Sequence, residues 1–185
     1  MILLLLLILV LDFAISIWNA YASGYNIGLL RKSEHSGFTA AAAYSGLGLA
    51  FTGMAYVLII VLSALAYYIG YIPITVLEFA VSLDFLVFGL LIIGFGLMVT
   101  IQSIIIAAKK KSIGSILIAL WNTFAEVFDI ISYASGFSES VQMLKRNSKG
   151  SGNAIFIVIV ALLIAFFITH AAYRHGLKKA RVAIG

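Results

Sequence analysis

Five long apolar stretches, separated by short polar or glycine-containing intervals, set the pattern of this chain. A helix of about 20 apolar residues crosses the roughly 30 Å of hydrocarbon in a bilayer, and each stretch approaches or exceeds that length. The short alternating segments of a membrane β-barrel do not occur. The pattern therefore predicts an all-α, polytopic helical membrane protein with about five transmembrane helices. No polar interval is long enough to fold alone, so residues 1–185 read as a single transmembrane domain with short loops and a basic C-terminal tail.

The first run, from Met1 to Ala22, is interrupted by Asp12 and closes with Trp18 and Tyr21, aromatics suited to a membrane interface. Ala20, Tyr21 and Ala22 resemble a signal-peptidase site. No Lys or Arg precedes the apolar run, however, and the segment reads as a retained span. Gly24 to Gly28, GYNIG, reads as a loop turn after this helix. The second run, Thr39 to Ile72, stops at Pro73, the only proline, and carries the row Ala42, Gly46 and Ala50 at a spacing of four. Such small residues admit another helix backbone at close range. In the third run, Leu77 to Ala108, Ser82, Gly89, Gly96 and Ser103 recur every seven residues along one side, which should face protein.

The fourth segment is more polar. Asn122, Glu126, Asp129, Tyr133 and Ser140 form one helical stripe, so it either spans with that stripe turned into a bundle or lies along the interface with the stripe in water, leaving four spans. A flexible Gly/Ser linker, Lys145 to Asn153, precedes the last apolar run, Ala154 to Tyr173, and the tail with Arg174, Lys178, Lys179 and Arg181.

Composition agrees with the pattern: 63% of residues are apolar, 10% are charged and the mean hydropathy is +1.14. Five spans with the N-terminus outside place nine cations on the side of Arg31, Lys32, Lys109 to Lys111 and the tail, against three at Lys145, Arg146 and Lys149. An interfacial fourth segment makes the division eight against four, with the tail outside. The positive-inside rule favours the first arrangement, a multi-pass protein of the cell membrane with a cytoplasmic tail. Anionic lipid then accounts for the net charge of +5, and no nucleic acid is needed as a partner. The absence of cysteine removes disulfides, thiolate metal sites and cysteine nucleophiles.

Five of the seven acidic residues, Asp12, Glu78, Asp84, Glu126 and Asp129, fall within or beside apolar runs. A charge at mid-bilayer costs at least about 2.5–3.5 kcal/mol on insertion scales, so each needs a partner, water or a proton. Counting back from the lysines puts Glu78 among the headgroups and Asp84 just inside. Asp12 falls near the midplane, and Ser16, Asn19 and Ser23 continue its face, as a proton or cation relay requires and as a simple interhelical hydrogen bond would also produce. Glu126 and Asp129 are placed to share a proton or a cation, or to be solvated. His170 and His175 are five apart on the last helix, a poor spacing for joint chelation, and no metal site follows. Gly-x-Ser-x-Gly, His-Glu-x-x-His, Walker A and paired-aspartate motifs are absent, and no cofactor is called for.

Two readings of function follow. The first is a non-catalytic subunit of a larger membrane complex, or a homo-oligomer, assembled through the small-residue rows Ala42, Gly46, Ala50 and Ser82, Gly89, Gly96. Its partners are the lipid bilayer and other membrane subunits or copies of itself. The second is a small proton- or cation-conducting protein whose pathway runs through Asp12, Ser16, Asn19, Asp84, Glu126 and Asp129.

Overall fold

A computed structural model of the chain describes residues 2–30, 36–148 and 151–184. Arg31, Lys32 and Lys149, three of the twelve cations, lie outside the described residues. The described chain forms five helices: α1 (Ile2–Leu30), α2 (Gly37–Tyr68), α3 (Ile74–Lys110), α4 (Ile113–Arg146) and α5 (Ser151–Ile184). All five are long and apolar enough to cross a membrane, and the protein is an all-α, multi-pass membrane protein. At 1.5 Å per residue α3 is about 55 Å long, so its ends reach past the hydrocarbon.

Local chemistry explains where the helices stop. The Ser36 hydroxyl accepts the Thr39 N–H at 3.2 Å and starts α2, and Ser112 does the same for Ser115 at 3.3 Å at the head of α4. Between α2 and α3, Gly70 takes φ +75°, a left-handed conformation that glycine adopts without steric penalty. Pro73 then begins α3. The α3–α4 turn is only two residues long and passes through Lys111 at φ 49°.

Helix α1 packs on α5 and α2, α2 also on α3 and α5, and α4 makes its helix contacts almost wholly with α3. Two apolar clusters form the interior. One unites Met54, Ala55 and Ile59 of α2 with Phe88 of α3 and Ala161 and Ala165 of α5; the other joins Ile72, Val76 and Ala80 to Ala154 and Ile157.

Three boundaries differ from the sequence reading. Gly24 to Gly28 is not a loop turn: α1 continues through it to Leu30, and both glycines are buried. A β-carbon at Gly24 would collide with the Tyr173 carbonyl oxygen of α5, one at Gly176 with the Tyr21 carbonyl oxygen of α1, and one at Gly28 would sit 2.5 Å from the Ala180 β-carbon. The glycines keep two parallel helices in near backbone contact, an interhelical use that resembles turn chemistry when read locally. For the same reason the basic tail is no appendage, because α5 runs on to Ile184 against the end of α1. The linker is also shorter than Lys145 to Asn153. Arg146 and Asn147 donate to Glu78 Oε2 at 2.9 and 2.8 Å, which ties the end of α4 to the start of α3.

The fourth segment packs antiparallel along α3 with its polar stripe turned onto that helix, as five spans require. Its outward side, including Trp121, Phe124, Val127, Phe128 and Ile131, is exposed and apolar, a surface suited to lipid and not to water.

Candidate functional site

Side chains seated against glycines fix the register of α1, α2 and α3. On α1, Ser16 faces Gly53 and Ser23 faces Gly46, where β-carbons on the glycines would lie 2.7 and 2.6 Å from the hydroxyl oxygens. This antiparallel register carries Asp12, one turn before Ser16, to the level of Tyr56 and Val57. Between α2 and α3, Gly48 faces Phe95 and Gln102 Nε2 reaches Thr39 Oγ1 at 3.5 Å, which puts Tyr56 and Val57 level with Asp84 to Leu86. Asp12 and Asp84 therefore lie at one depth. Each is ten residues from the start of its helix, about 15 Å along the axis.

Asp84 is 0% exposed, and neither of its carboxylate oxygens has a hydrogen-bond partner among the described residues. Its helix shows why. Val76 and Ala80, two turns and one turn before it, belong to one apolar cluster, and Phe88, one turn after it, belongs to the other. The carboxyl group thus occupies the seam between them. Glu78, six residues earlier, is the acid that meets the surface, paired with Arg146.

The α4 stripe continues the acidic series along α3. Tyr133 lies against Gly89, stacks on Phe85 with ring centroids 5.3 Å apart and donates its hydroxyl to the Leu86 carbonyl at 3.1 Å. Glu126 is 5% exposed and occupies the space at Gly96, where a β-carbon would collide with its Oε2, and its Oε1 has no partner among the described residues. Asp129 stands one turn from Glu126 on the Asp84 side and is half-buried. Further along, Thr100 Oγ1 donates to the Asn122 carbonyl at 3.3 Å. Gly96 is twelve residues beyond Asp84, about 18 Å, so the acids are distributed through the depth of the bundle.

The register relates them: Asp12 of α1 and Asp84 of α3 lie level with Tyr56 of α2, and Asp129 of α4 stands farther toward the Lys109 end of α3. The single ion pair among the described residues is Arg146–Glu78, at the end of the bundle.

Comparison with protein-family models, curated proteins and solved structures finds no match. The site must be read from its own chemistry.

The remaining candidates fall elsewhere. Ala42, Gly46, Ala50 and Ser82 are buried inside the chain, and Asn19 is half-buried on α1. His170 stacks on Phe166 at 5.6 Å and His175 lies 5.7 Å from the Tyr21 ring, separate aromatic contacts that leave the two histidines apart. Among the described residues no three His, Cys, Asp or Glu side chains converge as metal ligands. A cleft of about 250 Å³ lies at the α3–α4 turn, lined by Ser103, Ile106, Lys110, Ser112, Ser115 and Ile118, and contains none of the candidate acids.

Two residues of the site carry no signal in the sequence pattern. Tyr56 is one of several aromatics in a uniformly apolar run. Ser63 is 0% exposed and its hydroxyl has no partner among the described residues. Hydroxyls in apolar helices usually turn back on a carbonyl of the preceding turn, as Thr52, Thr123 and Thr169 do at 2.9, 2.8 and 2.7 Å. Ser63 does not.

The seat of Glu126 gives a direct prediction. Gly96→Ala should expel the Glu126 carboxylate from its place against α3 and lower thermal stability in detergent by about 1–3 kcal/mol, as overpacking of an interior does. Gly94→Ala, two residues away with nothing within 4 Å of the added carbon, should show no loss.

Proposed function

We propose that this membrane protein moves a small cation, a proton or an alkali-metal ion, by way of the carboxyl groups of Asp12, Asp84, Asp129 and Glu126. The observation that carries the reading is Asp84, a fully buried carboxyl without a partner among the described residues, about 15 Å from the start of a membrane helix. An ionisable residue of this kind is expensive to place and marks an ion pathway by default. Asp12 lies at its level, Asp129 and Glu126 extend from it toward the Lys109 end of α3, and Glu78 and Ser63 lie toward the opposite end. Purified protein in sealed vesicles, with a pH-sensitive or sodium-sensitive dye inside, tests the reading. Ion flux is expected in the wild type and should fall to the level of empty vesicles in Asp84→Asn. Wild-type vesicles as tight as empty ones would refute it.

A second reading, a non-catalytic subunit of a larger assembly, draws support from α4, which packs on α3 and leaves its wide apolar side uncovered by the chain. The small-residue rows no longer speak for it. Gly46, Gly89 and Gly96 are each occupied by a side chain of the same molecule.

The orientation that fits the cation split places the N-terminus outside and the basic end of α5 in the cytoplasm of a cell membrane. Single cysteines at Ser112 and Ser148, at opposite ends of α4, should label differently from outside intact cells: position 148 reacts and position 112 does not. The reverse result inverts the orientation, and equal labelling removes α4 as a span.

A further inference from the structure

We propose that the ion held at this buried site is the proton, bound directly by Asp84, and not an alkali-metal ion. This rests on the ion-moving reading above and names the substrate of that site.

The surroundings of Asp84 decide between the two. An alkali ion at such depth needs several oxygen ligands besides one carboxylate. Membrane proteins supply them from polar side chains and from carbonyls freed where a helix is interrupted. Here α2 and α3 are unbroken helices through Tyr56 to Ser63 and through Val76 to Phe88, so their carbonyls are engaged in helical hydrogen bonds. On the α5 side the residues of the two clusters are Ala154, Ile157, Ala161 and Ala165, all without side-chain oxygens.

A proton makes none of those demands. Adding H⁺ to one carboxylate oxygen forms an O–H bond, leaves a neutral acid and removes the charge from the apolar seam. The titratable groups that the helix register brings to the level of Asp84 are Tyr56 on α2 and Asp12 on α1, with Asp129 on α4 farther toward the Lys109 end of α3. All are acids, so none supplies a fixed positive charge that would hold Asp84 ionised.

Ser63 strengthens the case. The α2–α3 register puts it level with Glu78 to Ala80, about one turn nearer the Glu78 end than Asp84. It lies one turn after Ile59 of the first cluster and next to Leu62, which borders both. Two unpartnered polar side chains therefore share the seam, a carboxyl and a hydroxyl at successive depths. A hydroxyl both donates and accepts, so it is suited to hand a proton onward from the Glu78 end.

Dicyclohexylcarbodiimide adds to protonated carboxylic acids in apolar surroundings and remains, whole, as an N-acylurea that mass spectrometry locates. Full-length protein in vesicles is expected to gain one such adduct on the peptide containing Asp84. Labelling should increase as pH falls, be indifferent to excess sodium or potassium chloride and disappear in Asp84→Asn. Infrared spectra of the same samples should show a protonated-carboxyl C=O band that Asp84→Asn removes. Protection by sodium or potassium would overturn the proposal, as would adducts confined to Glu126 or Asp129, or a wild-type spectrum without that band. The two readings fail separately. Sodium-protected labelling with sodium flux keeps the ion-moving function and rejects the proton, whereas an Asp84 band and adduct in vesicles without flux keep the proton and reject transport.

Discussion

Gly24→Ala and Gly176→Ala, each adding a single carbon, are expected to disrupt the fold more than any other glycine substitution in this chain. The added carbon of the first would collide with the Tyr173 carbonyl oxygen, and that of the second with the Tyr21 carbonyl oxygen and, at 2.8 Å, the Tyr25 nitrogen. These obstacles are backbone atoms of a facing helix, so no rotamer change relieves them. At Gly89 the obstacle is instead the Tyr133 ring, at 2.9 Å, which can shift. Separating α1 from α5 would also expose Ala180, which is buried and faces Gly28 at this interface. Interior overpacking typically costs about 1–3 kcal/mol, and a clash of backbone with backbone belongs at or above the upper end. Thermal unfolding in detergent measures it, with Gly114→Ala as the control, since nothing lies within 4 Å of a carbon added there. A Gly24→Ala protein that melts with the wild type would show that α1 and α5 do not approach as described.

That interface also marks how far the sequence could be read. Five apolar runs specify five helices because the bilayer forces each long apolar segment to satisfy its backbone internally. The helix count and class were accordingly legible. The stripe Asn122, Glu126, Asp129 and Tyr133 gave a face, but which neighbour it meets depends on Gly89 and Gly96 of α3, and that is tertiary information. Gly24 and Gly28 were misread because local rules treat paired glycines after an aromatic as a turn; only the presence of Gly176 and Ala180 on a parallel helix makes them a packing surface. Asp84 was visible as an acid in an apolar run. Its burial was not, because the apolar clusters on either side of it draw residues from α2 and α5 as well as from α3. Ser63 and Tyr56 could not have been singled out, since their interest lies in what surrounds them.

Asp84→Leu is expected to make the protein more stable and to abolish its ion flux. Leucine branches at Cγ as aspartate does, so it fits the seam between Val76, Ala80 and Phe88 with a modest increase in volume while replacing two unpartnered oxygens by methyl groups. A buried polar group without a partner costs about 1–3 kcal/mol, and relief of that penalty should appear as a raised melting temperature in detergent. Asp84→Asn keeps the shape and a polar amide, so it should lose flux with little gain in stability. The pair of variants separates two roles that a loss of activity alone would confuse. A carboxyl retained for structure would be bonded to a neighbouring helix, and its replacement by leucine would leave that neighbour unsatisfied and destabilise the protein. A carboxyl retained for ion movement is a burden on the fold, and its removal improves stability at the expense of function. Asp84→Leu protein that melts below the wild type would therefore assign Asp84 to the architecture, and the pathway would lose its centre.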